Sequence, residues 1–549
     1  MELTIKNISS LEKVRSVKIM NELEEITSAK VLAGENYSYQ VCCTTEVRVE
    51  TKIRVESLLK DHIKIYCVND VIADRIEPHD EDTLLTEPGL VPDLLFPLEY
   101  QRNESFIVKE GVTFWLDVQV PKNFPAGTYP VKVVFESIGY NDSGSVQEKS
   151  FNIEVIPAVI PDQSTAFTQW FHVDCIATAH CVEMYSEEHW VLIEKYARLA
   201  RQLGITVLLT PTITPPLDTE VGLKRPCTQL VKIEKCGDKY YFDFALLDRW
   251  FDMAKRCGFE HFEMAHLFSQ WGLKFTPNIK VWENGVEFYK FDTNVVSTDP
   301  SYKDFLNQFI PELVKYLKYK GVYDNCLFHI SDEPYEMHLE AYKYARDILV
   351  PIVGEDKLMD AMSHVEYYQN GLTKLPVVSI NHMEEFLAED IEKRWGYYCT
   401  SQWEKVSNRF LAMPLYRTRI IGLQIYKFNL VGFLHWGYNF YNSNVSKYKI
   451  NPYVTTSSNK SFQSGDGFSV YPMFDGVVPS LRALVFKEAL QDVEICKKLE
   501  SYIGREAVIK MIDEDAGMDI TFKEYPRNSA YIPTLIDKMK TMIAEYAVK

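Results

Sequence analysis

Asp332 and Glu333 stand side by side in LFHISDEPYE, where an apolar run of strand character meets a proline. Carboxyl groups held at one place can take and return a proton during bond cleavage. Pro334 cannot continue a strand and favours an extended conformation at Glu333. Successive strand side chains point to opposite faces. Two neighbouring acids therefore reach one site only where the strand gives way to a loop. An Asp-Glu pair also serves to cap a helix. Position in the fold and polar company decide between these uses.

The surrounding elements supply that position. Residues 1–162 hold short alternating runs such as YSYQVCCTTEVRVETKIRVESLL, IKIYCVND, SFIVKEGVTFWLDVQV, YPVKVVFES and EKSFNIEVIPAVIP. Turn clusters KNFPAGTYP and GYNDSGS part them. The pattern predicts an N-terminal antiparallel β-sandwich. Over residues 163–503 strand-like runs alternate with amphipathic helices in eight pairs. That alternation predicts a (β/α)8 TIM barrel. Its expected strands are AFTQWFHVD, ITVLLT, FEHFEMAHLF, NCLFHIS, KLMDAMSH, PVVSINHM, YYCTSQW and VGFLHWGYNF. The expected helices include EEFLAEDIEKRW and SYKDFLNQFIPELVKYLKYKG. Residues 504–549 are expected to form a short C-terminal helical extension on the barrel, with PTLIDKMKTMIAEYAVK as its helix.

Barrel active sites lie at the C-terminal ends of the strands. Polar residues expected there are His172, Asp174, His266, Asp332, Glu333, His364, Asn381, His382, Trp403, Trp436, Tyr438 and Asn439, with Asp466 and Tyr471 on the loop SGDGFSVYP. Ordinary glycoside hydrolysis uses two carboxylates about 5–5.5 Å or 6.5–9.5 Å apart, from separate positions around the sugar. Adjacent residues flank a ring poorly. They suit the substrate-assisted exception, in which a 2-acetamido oxygen attacks the anomeric carbon. One carboxylate then holds the acetamide N–H and the other protonates the leaving oxygen. Two alternatives stay open at this point. One is a barrel glycosidase acting on other sugars, with Glu263 or another strand-end acid as nucleophile. The other is a non-catalytic carbohydrate-binding protein.

Composition narrows the partners. The 549-residue chain carries 77 acidic against 59 basic residues, a net charge of −18. That excess argues against nucleic acid and against an anionic membrane surface as partners. Aromatic residues make up 13% and suit both large cores and sugar faces. The eleven cysteines include the adjacent Cys42 and Cys43 and show no zinc spacing. They are expected to be free thiols in a cytoplasmic protein. No metal or other cofactor is expected, since His364 and His382 lack a local ligand pattern. The oligomeric state is not legible.

Four motifs in order, QWFHVDC, HISDEP, FLHWGYN, and GDGFSVYP followed by SLRALVFKEALQDVE, resemble glycoside hydrolase family 123. Its characterised members are exo-acting β-N-acetylgalactosaminidases that retain configuration by substrate assistance, with a β-sandwich ahead of the barrel. The resemblance implies that Asp332 orients the acetamide and that Glu333 is the general acid/base. It also implies a glycan or oligosaccharide substrate and favours the galacto configuration. On the same footing His172, Asp174, Trp403, Trp436, Tyr438, Asn439, Asp466 and Tyr471 are candidate substrate contacts.

Overall fold

A computed structural model describes residues 3–101, 105–109, 111–138 and 144–548. The expected turn GYNDSGS lies largely outside the described residues. Two five-stranded sheets form the N-terminal part. One runs in the order Thr4–Ser9, Asn36–Thr44, Val112–Gln119, Ile63–Ala73, Gly89–Pro97. The other runs Ser28–Ala33, Ser145–Val159, Gly127–Ile138, Val49–Glu56, Ser105–Val108. Alternation drives the packing: in VETKIRVE the side chains of Val49, Thr51 and Ile53 are buried and those between them exposed. Val41, Phe114, Val133, Phe135 and Ile153 join Ile53 in the shared core.

The pairing is antiparallel with one exception. Ser145–Val159 runs parallel to Ser28–Ala33. Gly89–Pro97 was not expected as a strand, because GLVPDLLFP carries two prolines. It is a sheet edge, where a missing backbone N–H costs little.

The following residues hold eight parallel strands, here β1 (Ala166–Gln169), β2 (Val207–Thr210), β3 (His261–Met264), β4 (Cys326–Phe328), β5 (Met359–Met362), β6 (Leu375–Ser379), β7 (Trp395–Tyr397) and β8 (Gly432–His435). They fall into a five-stranded sheet, β1-β8-β7-β6-β5, and a three-stranded sheet, β2-β3-β4. Every pairing within them is parallel. The sheets meet at both edges. Phe328 forms a parallel bridge with Leu358, and Thr206 N donates to Phe167 O at 2.8 Å. The strands β2, β5 and β8 are buried along their whole length, as parallel strands covered on both faces must be.

Helices α1 (Val173–His180) and α2 (Glu187–Gln202) follow β1, and α3 (Ala245–Arg256) follows β2. After β3 and β4 come α4 (Pro300–Lys320) and α5 (Leu339–Val353). Local chemistry sets the ends of α4. The Asp299 side chain accepts from Ser301 N, Pro300 takes the first turn, and Gly321 stops the helix at φ +72°. Two expectations shift in the later units. EEFLAEDIEKRW is helical only over Met383–Leu387, because Glu385 and Glu389 would stack like charges one turn apart and Trp395 is needed in β7. The strand read in YYCTSQW is Trp395–Tyr397, so residues 399–403 form a loop at the strand's end.

The C-terminal part is α6 (Leu481–Ile503), α7 (Arg505–Ala516) and α8 (Tyr531–Ala547). The tail packs on the sandwich as well as on α6. Buried Lys540 pairs with buried Glu35 and donates to Lys30 O at 2.9 Å. At the start of α6, Arg482 is fully buried and meets Asp93 of the sandwich with two bonds of 2.9 Å. Its remaining N–H groups go to the carbonyls of Arg409, Gly465 and Phe468, so all five donors are used. No helix among the described residues is long and apolar enough to cross a membrane. All eleven cysteines are free.

Removing one partner of a buried ion pair leaves the other charge stranded. Asp93→Ala should therefore lower stability by about 3–5 kcal/mol in urea unfolding. A loss under about 1 kcal/mol would show that the Arg482 guanidinium finds other compensation.

Candidate active site

A cavity of about 230 Å³ opens among the loops that follow the parallel strands, and both Asp332 and Glu333 line it. Neighbouring residues share it because the chain turns sharply between them. Glu333 has φ +46°, a left-handed conformation rare for a side chain of this size. Pro334 was expected to hold Glu333 extended. The observed turn is instead pinned by tertiary bonds. Glu333 N donates to Ala361 O at 3.2 Å, and Trp271 N donates to Asp332 O at 3.1 Å. Strained backbone of this kind persists only where its surroundings over-determine it.

The two acids sit in unlike surroundings. Asp332 is buried and accepts from Gln270 Nε2 at 2.6 Å. Burial, then the charge of Glu333, drives its carboxyl well above the usual carboxylate range, with Gln270 and His329 pulling the other way. Glu333 accepts from Tyr397 Oη at 2.8 Å on one oxygen and from Trp271 Nε1 at 3.4 Å on the other. Asp332 is thus the acid whose burial favours the protonated form, while Glu333 is only half-buried. The Gln270 amide has a defined direction. Its oxygen accepts from Asp218 N, so its nitrogen must face Asp332.

Of the eight expected substrate contacts only Trp436 lines the cavity. Its indole N–H donates to Asp466 at 2.9 Å. Asp466 itself is fully buried beneath it, and burial pushes its carboxyl up to about 7. The expectation of an exposed sugar-binding GDG loop is thereby corrected: Asp466 holds the tryptophan. His172 and Asp174 form a frame behind it. Arg225 gives Asp174 two bonds of 2.9 and 2.6 Å and reaches His172 Nδ1 at 3.2 Å. Burial and Arg225 push His172 down to about 3, so the ring is neutral and its Nε2 donates to Trp436 O at 2.9 Å.

Asn439 brackets His172, accepting from its N and donating to its O. Tyr438 and Tyr471 are core residues bonded to Tyr196 O and Asp93. Trp403 is half-buried outside the cavity, and its carbonyl accepts from Arg417. His266 is buried, while His364, Asn381 and His382 are half-buried; none lines the cavity. Glu263, the alternative nucleophile, is fully buried on Thr168, Trp170 and His329 and does not line it either.

Sequence reasoning missed Asp218, Gln270, Trp271, Tyr335, Tyr397, Cys399 and Phe462, all of which line the cavity. The turn signal SQWG after β3 could have marked Gln270 and Trp271. A larger space of about 710 Å³ lies elsewhere, between Arg54, Lys64 and Tyr100 of the sandwich and Lys195 of α2. It contains no adjacent acid pair.

Among the described residues one cluster has metal-ligand types, namely His266, His329 and Asp360. Its rings lie parallel, 4.1 Å apart at 14°. The in-plane lone pairs of parallel rings do not converge on one ion. Both nitrogens of His329 are in any case directed at carboxylates.

A carboxyl raised by folding favours the native state below the ordinary carboxyl range of about 4, and that contribution is lost as pH rises through the higher native value. Asp332→Asn removes the ionisation and can still accept from Gln270. The variant should match the parent in thermal stability at pH 4 and exceed it increasingly toward pH 8. A constant difference across that range would contradict the burial of a raised Asp332.

The catalytic-domain model of glycoside hydrolase 123 matches residues 170–499. No curated sequence matches the chain. A family 123 glycoside hydrolase from Clostridium perfringens, whose structure addresses glycolipid glycan hydrolysis, is 15% identical. It covers 100% of this chain and 98% of its own, with a TM-score of 0.75, and so shares the fold. A putative glycoside hydrolase from Bacteroides vulgatus (9% identical, 86% and 78% covered) reaches a TM-score of only 0.31. A GH5 xyloglucanase from Bacteroides ovatus (8%, 84% and 98%) also reaches 0.31, and neither bears on the argument. The match to the catalytic-domain model spans more than half of the sequence and includes Asp332 and Glu333: the chain belongs to glycoside hydrolase family 123.

Proposed function

We propose that this glycoside hydrolase removes a terminal β-linked N-acetylgalactosamine from a glycan, retaining configuration through the substrate's own acetamide. The observation that carries the reading is the convergence of two adjacent acids on one small cavity. At about 230 Å³ it falls below the 300–1,000 Å³ of sites for larger ligands, in keeping with a single terminal sugar. The galacto configuration rests on the family resemblance. The glycolipid glycan of the Clostridium perfringens enzyme is one source compatible with it. The eight parallel strands and their edge contacts support a (β/α)8 barrel over 163–503, between a sandwich at 1–162 and a helical extension at 504–549.

The proton bookkeeping follows from the two environments. Burial favours a proton on Asp332 before substrate binds. An acetamide N–H brought to Asp332 needs an acceptor there, so binding moves the proton to Glu333. The acetamide oxygen then attacks the anomeric carbon. The bond to the leaving oxygen breaks, and Glu333 protonates that oxygen. Asp332, now ionised, stabilises the oxazolinium. Water next adds to the anomeric carbon as the bond to the acetamide oxygen breaks, and it gives its proton to Glu333, which restores the pair. Tyr397 and Trp271 hold the Glu333 carboxyl while it changes charge. Trp170, Trp436 and Phe462 supply apolar faces for the ring, and Asp218, Thr400 and Ser401 supply polar groups at the wall.

The test uses aryl 2-acetamido-β-galactosides of graded leaving-group acidity. Glu333→Gln should lose about 10²–10⁴-fold in kcat/KM with a poor leaving group and much less with dinitrophenyl. Asp332→Ala should lose comparably with every leaving group. Full activity in either variant would overturn the assignment.

A further inference from the structure

Beneath the acid pair lies a buried ionic cluster, centred on His329 of HISDEP, that the proposed reaction does not use. His329 Nε2 lies 2.8 Å from Glu263 Oε2, and His329 Nδ1 lies 3.3 Å from Asp360 Oδ1. All three side chains are fully buried. The other partners of both acids are donors. Glu263 accepts from Thr168 Oγ1 and from Trp170 Nε1 at 3.3 Å. Asp360 accepts from Tyr342 Oη at 2.7 Å, Ile330 N at 3.0 Å and Ser331 N at 3.3 Å. Oxygens surrounded by donors are those of ionised, acceptor-only carboxylates. A ring between two such groups must donate from both nitrogens, which makes it an imidazolium.

We propose that His329, carried as an imidazolium between Glu263 and Asp360, is the positioning residue of the Asp332–Glu333 pair. Two links run from it to the pair. The first is mechanical. Asp360 of β5 grips the backbone of Ile330 and Ser331 directly before Asp332, and its neighbour Ala361 accepts from Glu333 N. The strand end that must turn at Glu333 is thus fastened to β5 on both sides of Asp332. The second is electrostatic. The His329 cation draws the Asp332 carboxyl back toward its ionised form, against burial and the charges of Glu333 and Asp360.

The cluster also accounts for His266. Its ring stacks on His329 at 4.1 Å and 14°, and its nitrogens meet no polar partner among the described residues. Burial, then the His329 charge, holds it well below the usual imidazole range. A neutral ring in this position offers its π face to the cation. Burial opposes the charge on His329 itself, but the bonds and charges of Asp360 and Glu263 outweigh that and raise it to about 9.

This inference rests on Asp332 and Glu333 being the acid pair of the reaction, and its test has one arm that needs no turnover. In wild-type crystals at pH 7, neutron diffraction should show deuterons on both nitrogens of His329. A single deuteron, or a metal ion bridging His266 and His329, would overturn the proposal. In the second arm, His329→Gln removes the cation and keeps one amide donor. Whichever aryl glycoside the wild type cleaves, both limbs of the kcat/KM profile should move to higher pH by about 1 unit. A slower variant with unmoved limbs would reduce His329 to a packing role. If only an aryl glycoside lacking the acetamide is cleaved, the proposed function fails while the neutron arm still decides this inference.

Discussion

Two carboxylates on consecutive residues can serve one substrate only if the backbone between them leaves the strand conformation. That constraint shapes the centre of this molecule. The left-handed turn at Glu333 is costly for a side chain with a Cβ. It is held by bonds from outside its own segment: Trp271 to Asp332 O, Glu333 N to Ala361 O, and the Asp360 carboxylate to the two preceding amides. The seam between β4 and β5, with a single parallel bridge between the two sheets, is where these bonds gather. The strand pairing positions the chemistry and is in turn reinforced by it.

Charge burial follows from the same arrangement. Asp332 is taken out of water beside another acid, which works against native stability at neutral pH. Other buried charges of the molecule are held in polar networks. Arg482 uses all five donors, Arg225 holds Asp174 with two bonds, and Asp466 anchors the Trp436 indole. Each network joins segments far apart in the chain. Asp93 and Arg482 tie the sandwich to α6, which in turn packs against the parallel strands, with Phe167 of β1 stacked on Phe486.

The acid pair was legible in the sequence because everything that marks it is local: an apolar strand, two acids and a proline within ten residues. The long amphipathic helices were legible for the same reason. The misreadings have one cause. His172, Asp174, Asn439 and Tyr471 stand at or near strand ends by sequence, yet their partners are Arg225 in an insertion, Trp436 across the sheet and Asp93 in another domain. GDG reads as an exposed turn, but Asp466 is covered by a tryptophan thirty positions earlier. Gln270 and Trp271 stand in the turn SQWG after β3, and only the fold brings them to the acids. The unlike burial of the two acids also needed the structure, since adjacency predicts coupling without saying which acid is buried.

The central claim is that the substrate's acetamide oxygen is the nucleophile. The most direct measurement is kcat/KM across aryl β-N-acylgalactosaminides whose acyl group carries zero, one, two or three fluorines. Fluorine weakens the carbonyl oxygen as a nucleophile while barely changing its size. The account predicts a steep fall in kcat/KM with each fluorine. A flat series would mean that an enzyme carboxylate attacks instead, and would contradict the account.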